Sequence, residues 1–322
     1  MSTVVRPVAR LVRGQPMSEG AGVTILRTVG TGALRNLDPF LMLDELKLPA
    51  EEATAGFPDH PHRGFCTCTI MLKGAGSHRD SQGNSGIIKD GGVQWASTRG
   101  SREGRTTDVA PRLRSNTQPS STPRQMTAGR GIVHSEFPAT TEGDLHGFQL
   151  WINLPAAKKM CKPRYQDVEA AKIPEVTSLG KDSNVRVLAG TVGNTAGPLE
   201  LPIPGALLDV RIAPGGMMDT GSRVLDPSWN AFAFVYKGSG TLGGTTIPVR
   251  HAAVLGPGAS VTAEAGNDGL CFLLIAGKPI GEPIEQYGPF VMNSRREIEQ
   301  AFHDYQSGRL QRPEDDVWAK GE

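Results

Sequence analysis

The sequence predicts a mostly β protein of two consecutive barrel-like domains, and three observations carry that prediction. Forty Gly and 24 Pro among 322 residues interrupt the chain far too often for a helical bundle. Short apolar runs, FCTCTIML, HGFQLWINL, NAFAFVYK and GLCFLLIAG, each fall between turn signals, as strands do. The second half then repeats one grammar of strand, glycine turn and strand in LLDVRIAPGG, AFVYKGSGTLGG and AAVLGPGASV. A chain of this length with 38% hydrophobic residues suits two medium domains better than one large one.

The elements follow in order. MSTVVRPVARLVRG interleaves Val and Leu with Arg6, Arg10 and Arg13 and reads as a first strand; its lack of acids also resembles an organellar transit peptide, a weaker reading. Residues 1–155 hold five of the seven histidines and the densest strand signals, and form the first domain. The Pro- and Lys-rich stretch NLPAAKKMCKPRYQ marks the passage to the second, residues 156–322, whose β-rich block runs from Val185 to about Ala276. NSRREIEQAFHDYQSG closes the chain as a helix: Ser294 and Glu297 make a capping box, Ile298, Phe302 and Tyr305 share a face, and Gly308 ends it.

Composition excludes several functions. A net charge of +1 offers no basic stripe for nucleic acid, so direct binding to it is not expected. Four cysteines, Cys66, Cys68, Cys161 and Cys271, are too sparse for a secreted disulfide framework and point to reduced thiols inside a cell. No apolar run approaches the ~18 residues that would span a bilayer, so no membrane partner is expected.

Chemistry concentrates in two pairs. In FPDHPHRGF, His60 and His62 are two apart, so a strand projects both imidazoles to one side, about 7 Å apart along the chain. In GRGIVHSEF, His134 and Glu136 repeat that spacing after a glycine turn. A lone His-x-His is as well explained by surface or satisfied core histidines. Two strands that each present two inward groups can instead close a cage of three histidines and one carboxylate inside a small β-barrel. Imidazole with carboxylate suits Fe, Mn, Co, Ni or Cu better than a structural zinc site, and an octahedral ion would keep two positions for substrate and dioxygen.

FPDHPHRGF, MTAGRGIVHSEFP, HGFQLWINLP and GPFVMN, with the lead-in NLDPFLMLDELKLP, resemble the signatures of the pirin family within the cupin superfamily. The resemblance covers the chain apart from residues 96–125. It implies two tandem cupin barrels face to face, with Fe(2+) bound only in the N-terminal one by His60, His62, His134 and Glu136. One departure stands out: Cys66 occupies the place, four residues after His62, where many relatives carry glutamate. Strand parity with His62 would point Cys66 inward; the preferred reading of Cys66 and Cys68 is nevertheless small buried hydrophobes on one strand face rather than ligands. His146 and Gln149 in HGFQLW are further pocket candidates, or simply structural.

The resemblance also implies an activity, quercetin 2,3-dioxygenase, in which a flavonol is deprotonated and cleaved by O2 with loss of carbon monoxide. The histidines would hold the ion, and Glu136 would be ligand and catalytic base for the flavonol hydroxyl. It implies as well an alternative of another class, an iron- and redox-dependent transcriptional coregulator acting through a regulatory protein partner without turnover. An enzyme needs an open pocket leading to the ion, whereas a coregulator needs a docking face. A monomer is expected, cytoplasmic and by the second reading also nuclear.

The stretch 96–125 breaks the pattern, with no aromatic residue, no Ile, and six Arg against two acids. It reads as a disordered insertion, as a basic binding arm or, preferred, as a translated intron or misplaced exon boundary, because its removal gives the continuous VQWMTAGRGIVHSEF in frame. Sequencing the mature transcript across Trp95 and Met126 is expected to find a message without the insert; one that encodes it in full would exclude the artefact.

Overall fold

The computed structural model describes residues 4–52, 56–91, 93–94, 125–140, 143–221 and 224–311. Residues 96–124, and with them the three readings of the insert, lie outside the described residues. Gln125 opens the short strand Gln125–Thr127.

The first barrel sandwiches an eight-stranded sheet against a four-stranded one. Phe40–Pro49, Phe65–Lys73 and Asp144–Asn153 form the middle of the larger sheet, with Asp144–Asn153 paired antiparallel to both of the others. Phe57–His62, Ile132–Pro138, Gly76–Asp80 and Ser85–Ile88 form the smaller sheet in that order. The second barrel is built on one nine-stranded sheet whose centre is Asn230–Leu242, Thr262–Gly277 and Gly205–Ile212.

Alternation along each strand decides what each face does. In the second sheet, Leu207, Phe232, Phe234, Leu273 and Ile275 are buried in a core shared with Cys66, Cys68, Ile70, Phe148 and Leu150 of the first barrel. The residues between them, Leu208, Ala233, Val235, Phe272 and Leu274, fill the interior of the second barrel. Both faces are therefore buried, which is why AFAFV and CFLLIA read as unbroken apolar runs instead of an alternating pattern. The two barrels meet across one of these cores, edge-to-face at Phe40 and Phe232, whose rings lie 5.5 Å apart.

Two features depart from a division at residue 155. The predicted first strand forms, as Val8–Arg13, but it pairs with His251–Leu255 in the second barrel's sheet. Conversely Arg164–Val168, beyond the boundary, pairs with Gln125–Thr127 and Val93–Gln94 in the first. Neither shows in the sequence, because strand partners are chosen by long-range packing and not by local composition.

The C-terminal helix, Arg295–Gln306, is capped as its sequence implies. Ser294 accepts from the Glu297 backbone N–H, and the Glu297 carboxylate accepts from the Ser294 hydroxyl at 2.8 Å and the Asn293 N–H at 3.2 Å. Gly308, at φ +68°, takes the left-handed conformation just beyond its end.

The supposed linker also carries a buried cation. Lys159, 1% exposed, donates to the Gly64 carbonyl at 2.8 Å, Asn153 Oδ1 at 2.6 Å and the Val291 carbonyl at 3.1 Å. It thus ties the turn after His62 to the end of a central strand and to the C-terminal region. Charge-assisted hydrogen bonds contribute about 1.5–3 kcal/mol each, and a buried carbonyl left without a donor costs about 1–3 kcal/mol. Lys159→Met is therefore expected to lower the unfolding free energy by roughly 3 kcal/mol in urea titration; a change below about 0.5 kcal/mol, typical of surface substitutions, would show that the tie carries no stability.

Candidate metal centre

The two histidine-bearing strands are neighbours in the four-stranded sheet. Phe57–His62 and Ile132–Pro138 run antiparallel with His134 opposite His60 and Ile132 opposite His62, and a bulge after His134 shifts Glu136 opposite Phe57. The three imidazoles converge: ring centroids are 4.4 Å apart for His60 and His134, 4.7 Å for His60 and His62, and 4.9 Å for His62 and His134. One nitrogen of each lies within 4.8 Å of the other two.

His60 Nδ1 lies 2.8 Å from the Pro58 carbonyl oxygen, which can only accept, so Nδ1 carries the proton and Nε2 presents a lone pair. That Nε2 stands 3.1 Å from His62 Nε2. Burial, reinforced by the neighbouring imidazoles, holds His62 and His134 well below the ordinary histidine range, and burial lowers His60 too. His134 Nε2 is buried with no hydrogen-bond partner. Three crowded neutral imidazoles with an orphaned nitrogen among them fit a divalent transition ion, which would satisfy all three at once.

Glu136 stands outside that group of three. Its carboxylate accepts from Gln149 Nε2 at 3.2 and 3.5 Å, and Gln149 Oε1 in turn accepts from the Thr69 hydroxyl at 2.5 Å. Burial pushes the Glu136 carboxyl up to about 7, against the pull of Gln149 and Thr69 toward the ionised form. His60, His62, Glu136 and Gln149 all line one cavity of about 790 Å³ between the two sheets of the first barrel.

The other sequence candidates separate by strand parity. Gln149 faces the cavity, but His146, three residues earlier, faces the second barrel, bonded to Glu45 at 2.8 Å, which also pairs with Arg250 at 3.3 Å. Cys66 and Cys68 do not point inward. Both are fully buried in the core between the barrels, and Cys66 lies 3.3 Å from the Thr127 hydroxyl. Burial pushes the Cys66 thiol up to about 12 and Cys68 higher still, so both are inert. Parity with His62 fails because Gly64, at φ +89°, breaks the strand, and the count restarts at Phe65. An added Cβ there would run into the Val291 carbonyl oxygen.

Several site residues escaped the sequence reading. His78 sits opposite Glu136 on Gly76–Asp80 and lines the cavity, and the His-x-Asp alternation of GSHRD was its only signal. Gln286, Gly288 and Pro289 bring the second half of the chain to the rim. Arg63, next to His62 and 3% exposed, pairs with Asp304 of the C-terminal helix at 2.7 Å and donates to the carbonyls of Leu310, at 3.1 Å, and Arg130.

Comparison with known proteins shows the family. The family model described as Pirin matches residues 22–101 and 115–152, and the model described as the Pirin C-terminal cupin domain matches residues 207–311. The chain belongs to the pirin family. Pirin-like proteins of Solanum lycopersicum and Caulobacter vibrioides are each 41% identical to this pirin-family chain, over 94% and 95% of its length and 92% and 99% of theirs. A quercetin 2,3-dioxygenase from Acinetobacter baumannii superposes with a TM-score of 0.79 at 28% identity, covering 95% of this pirin-family chain and 99% of that one. The two barrels are cupin domains, as the resemblance implied.

Removing one imidazole tests the site directly. His134→Ala is expected to weaken metal binding at least about tenfold, since even partners of metal ligands carry effects of about 10–100-fold. Added metal should raise the Tm of the wild type and not of the variant, because a ligand stabilises only the state that binds it. Equal metal stoichiometry and equal Tm shifts in both proteins would exclude His134 as a ligand.

Proposed function

We propose that this chain is a mononuclear metal-dependent dioxygenase of the quercetin 2,3-dioxygenase type, with His60, His62, His134 and Glu136 holding Fe(2+). One observation carries the reading: two imidazoles of the cluster, His60 and His62, open together with Glu136 onto a cavity of about 790 Å³, within the range of small-molecule sites. The similarity to a quercetin 2,3-dioxygenase over nearly the full chain supports it.

The ion, when bound, would supply Lewis acidity toward the substrate oxygen and the redox chemistry that dioxygen requires. The chain supplies the rest. His60, with its Nδ1 proton fixed by the Pro58 carbonyl, keeps Nε2 free to ligate. Glu136, pushed up to about 7 by burial, takes the proton of the flavonol hydroxyl, and Gln149 holds its carboxylate at the edge of the histidine cluster. The cavity's apolar walls, among them Phe57, Met71 and Trp151, exclude water and accept flat aromatic rings.

Oxygen uptake with quercetin, by protein loaded anaerobically with Fe(II), is the decisive measurement. Uptake that is lost in His134→Ala is the expected result. Stoichiometric iron without uptake would overturn the enzymatic reading in favour of the metal-dependent coregulator.

A further inference from the structure

The floor of the cavity carries a polar line that the metal centre does not explain. Arg27 lies opposite Asp44, Asp44 opposite Gln149 and Gln149 opposite Thr69, so four strands of the eight-stranded sheet place these residues in one cross-strand row. Directly opposed residues share a face, and all four line the cavity. At one end Gln149 reaches Glu136 beside the histidines, and at the other Arg27 pairs with Glu19 at 2.9 Å. The members of the neighbouring rows that line the cavity are apolar or bare: Trp151 faces Met42, while Gly147 faces Leu46 and Met71; Thr67, which also pairs with Trp151, is not among the lining residues.

The row is bonded within itself except at one step. Arg27 Nε and one terminal nitrogen each donate to Asp44 at 2.7 Å, and Thr69 donates to Gln149, but among the described residues no hydrogen bond joins Asp44 to Gln149. Each Asp44 oxygen accepts once from Arg27 and keeps a lone pair, and Gln149 offers a donor amide. Both groups line the cavity, so this unbridged step is open to a group bound there. A group there must donate to a carboxylate and accept from an amide. A hydroxyl does both.

The surroundings narrow the class. Two carboxylates, Asp44 and Glu19, flank Arg27 and disfavour an anionic group. The apolar rows on both sides disfavour a sugar, which carries hydroxyls all around. We infer that the Arg27–Asp44–Gln149–Thr69 row is a specificity element for flat, neutral phenols bearing a hydroxyl remote from the edge that meets the metal, an inference that rests on the flavonol-type reading of the same cavity. Sites built to hydrogen-bond a hydroxyl reject the analogue that lacks it, because the site's own buried polar groups are left unpaired.

Two probes without the 3-hydroxyl of a flavonol separate this row from the chemistry: 7,4′-dihydroxyflavone and unsubstituted flavone, titrated calorimetrically and anaerobically into the Fe(II)-loaded full chain. The dihydroxy compound is expected to bind at least about tenfold tighter. That ratio should fall below about threefold in Asp44→Asn. Should that variant misfold with Arg27 unpaired, the joint replacement Arg27→Met with Asp44→Leu removes both charges, a change that buried pairs often tolerate. A wild-type ratio below about threefold, or a ratio kept in a folded variant of either kind, overturns the inference. Neither probe has to be turned over. A preserved ratio without oxygen uptake from quercetin therefore sinks only the dioxygenase reading, and uptake without the ratio sinks only the specificity row.

Discussion

The register between Phe57–His62 and Ile132–Pro138 is the constraint on which the centre depends. With His134 opposite His60, three imidazoles share one face; a slip of one residue would turn the second strand's set to the other side. Polar ties hold that register from outside the sheet. The Gly64 N–H donates to the Gly129 carbonyl at 2.8 Å, and Arg63 reaches Arg130 at the head of the second strand. The Val133 N–H donates to the Ser81 hydroxyl at 3.1 Å, and Ser81 is itself hydrogen-bonded to Gln311 near the end of the described chain. A centre made from two short strands is thus stiffened by residues far away in sequence.

The two barrels spend the same alternation differently. In the second, the inward residues are apolar, Val, Leu, Ala, Ile, Phe and Met, and they close the interior. In the first, Thr69, Gln149, Asp44, His60, His62 and His78 occupy inward positions, and space remains between the sheets. Both barrels present their outward apolar residues to a common core, so the filled barrel braces the hollow one.

Much of this was legible in the sequence, and the limits are physical. Pairs at spacing two announced the histidines, because alternation is local and His-x-His survives any choice of partner strand. The C-terminal helix was legible for the same reason, since capping and periodicity are local. Cys66 and Cys68 are the small buried hydrophobes their sequence favoured, but the inward direction expected of Cys66 failed because a single left-handed glycine resets parity, and no count across it holds. His78, Arg27 and Asp44 were missed because their meaning lies in what faces them across the sheet. The family resemblance supplied what local rules do not, namely which strands are neighbours.

The strand Val8–Arg13 has a consequence for how the molecule comes into being. Its partner, His251–Leu255, is translated near the other end of the chain. At about 5–20 residues per second, the ribosome would leave the first strand waiting on the order of ten seconds or more before its place exists. The second barrel's sheet cannot be completed from the second half alone, and the two domains are laced together by the order of synthesis as much as by their shared core. Arg10 and Arg13 among Val, Ala and Leu keep the waiting segment charged as well as apolar, a composition that resists edge-to-edge pairing with other chains in the interval.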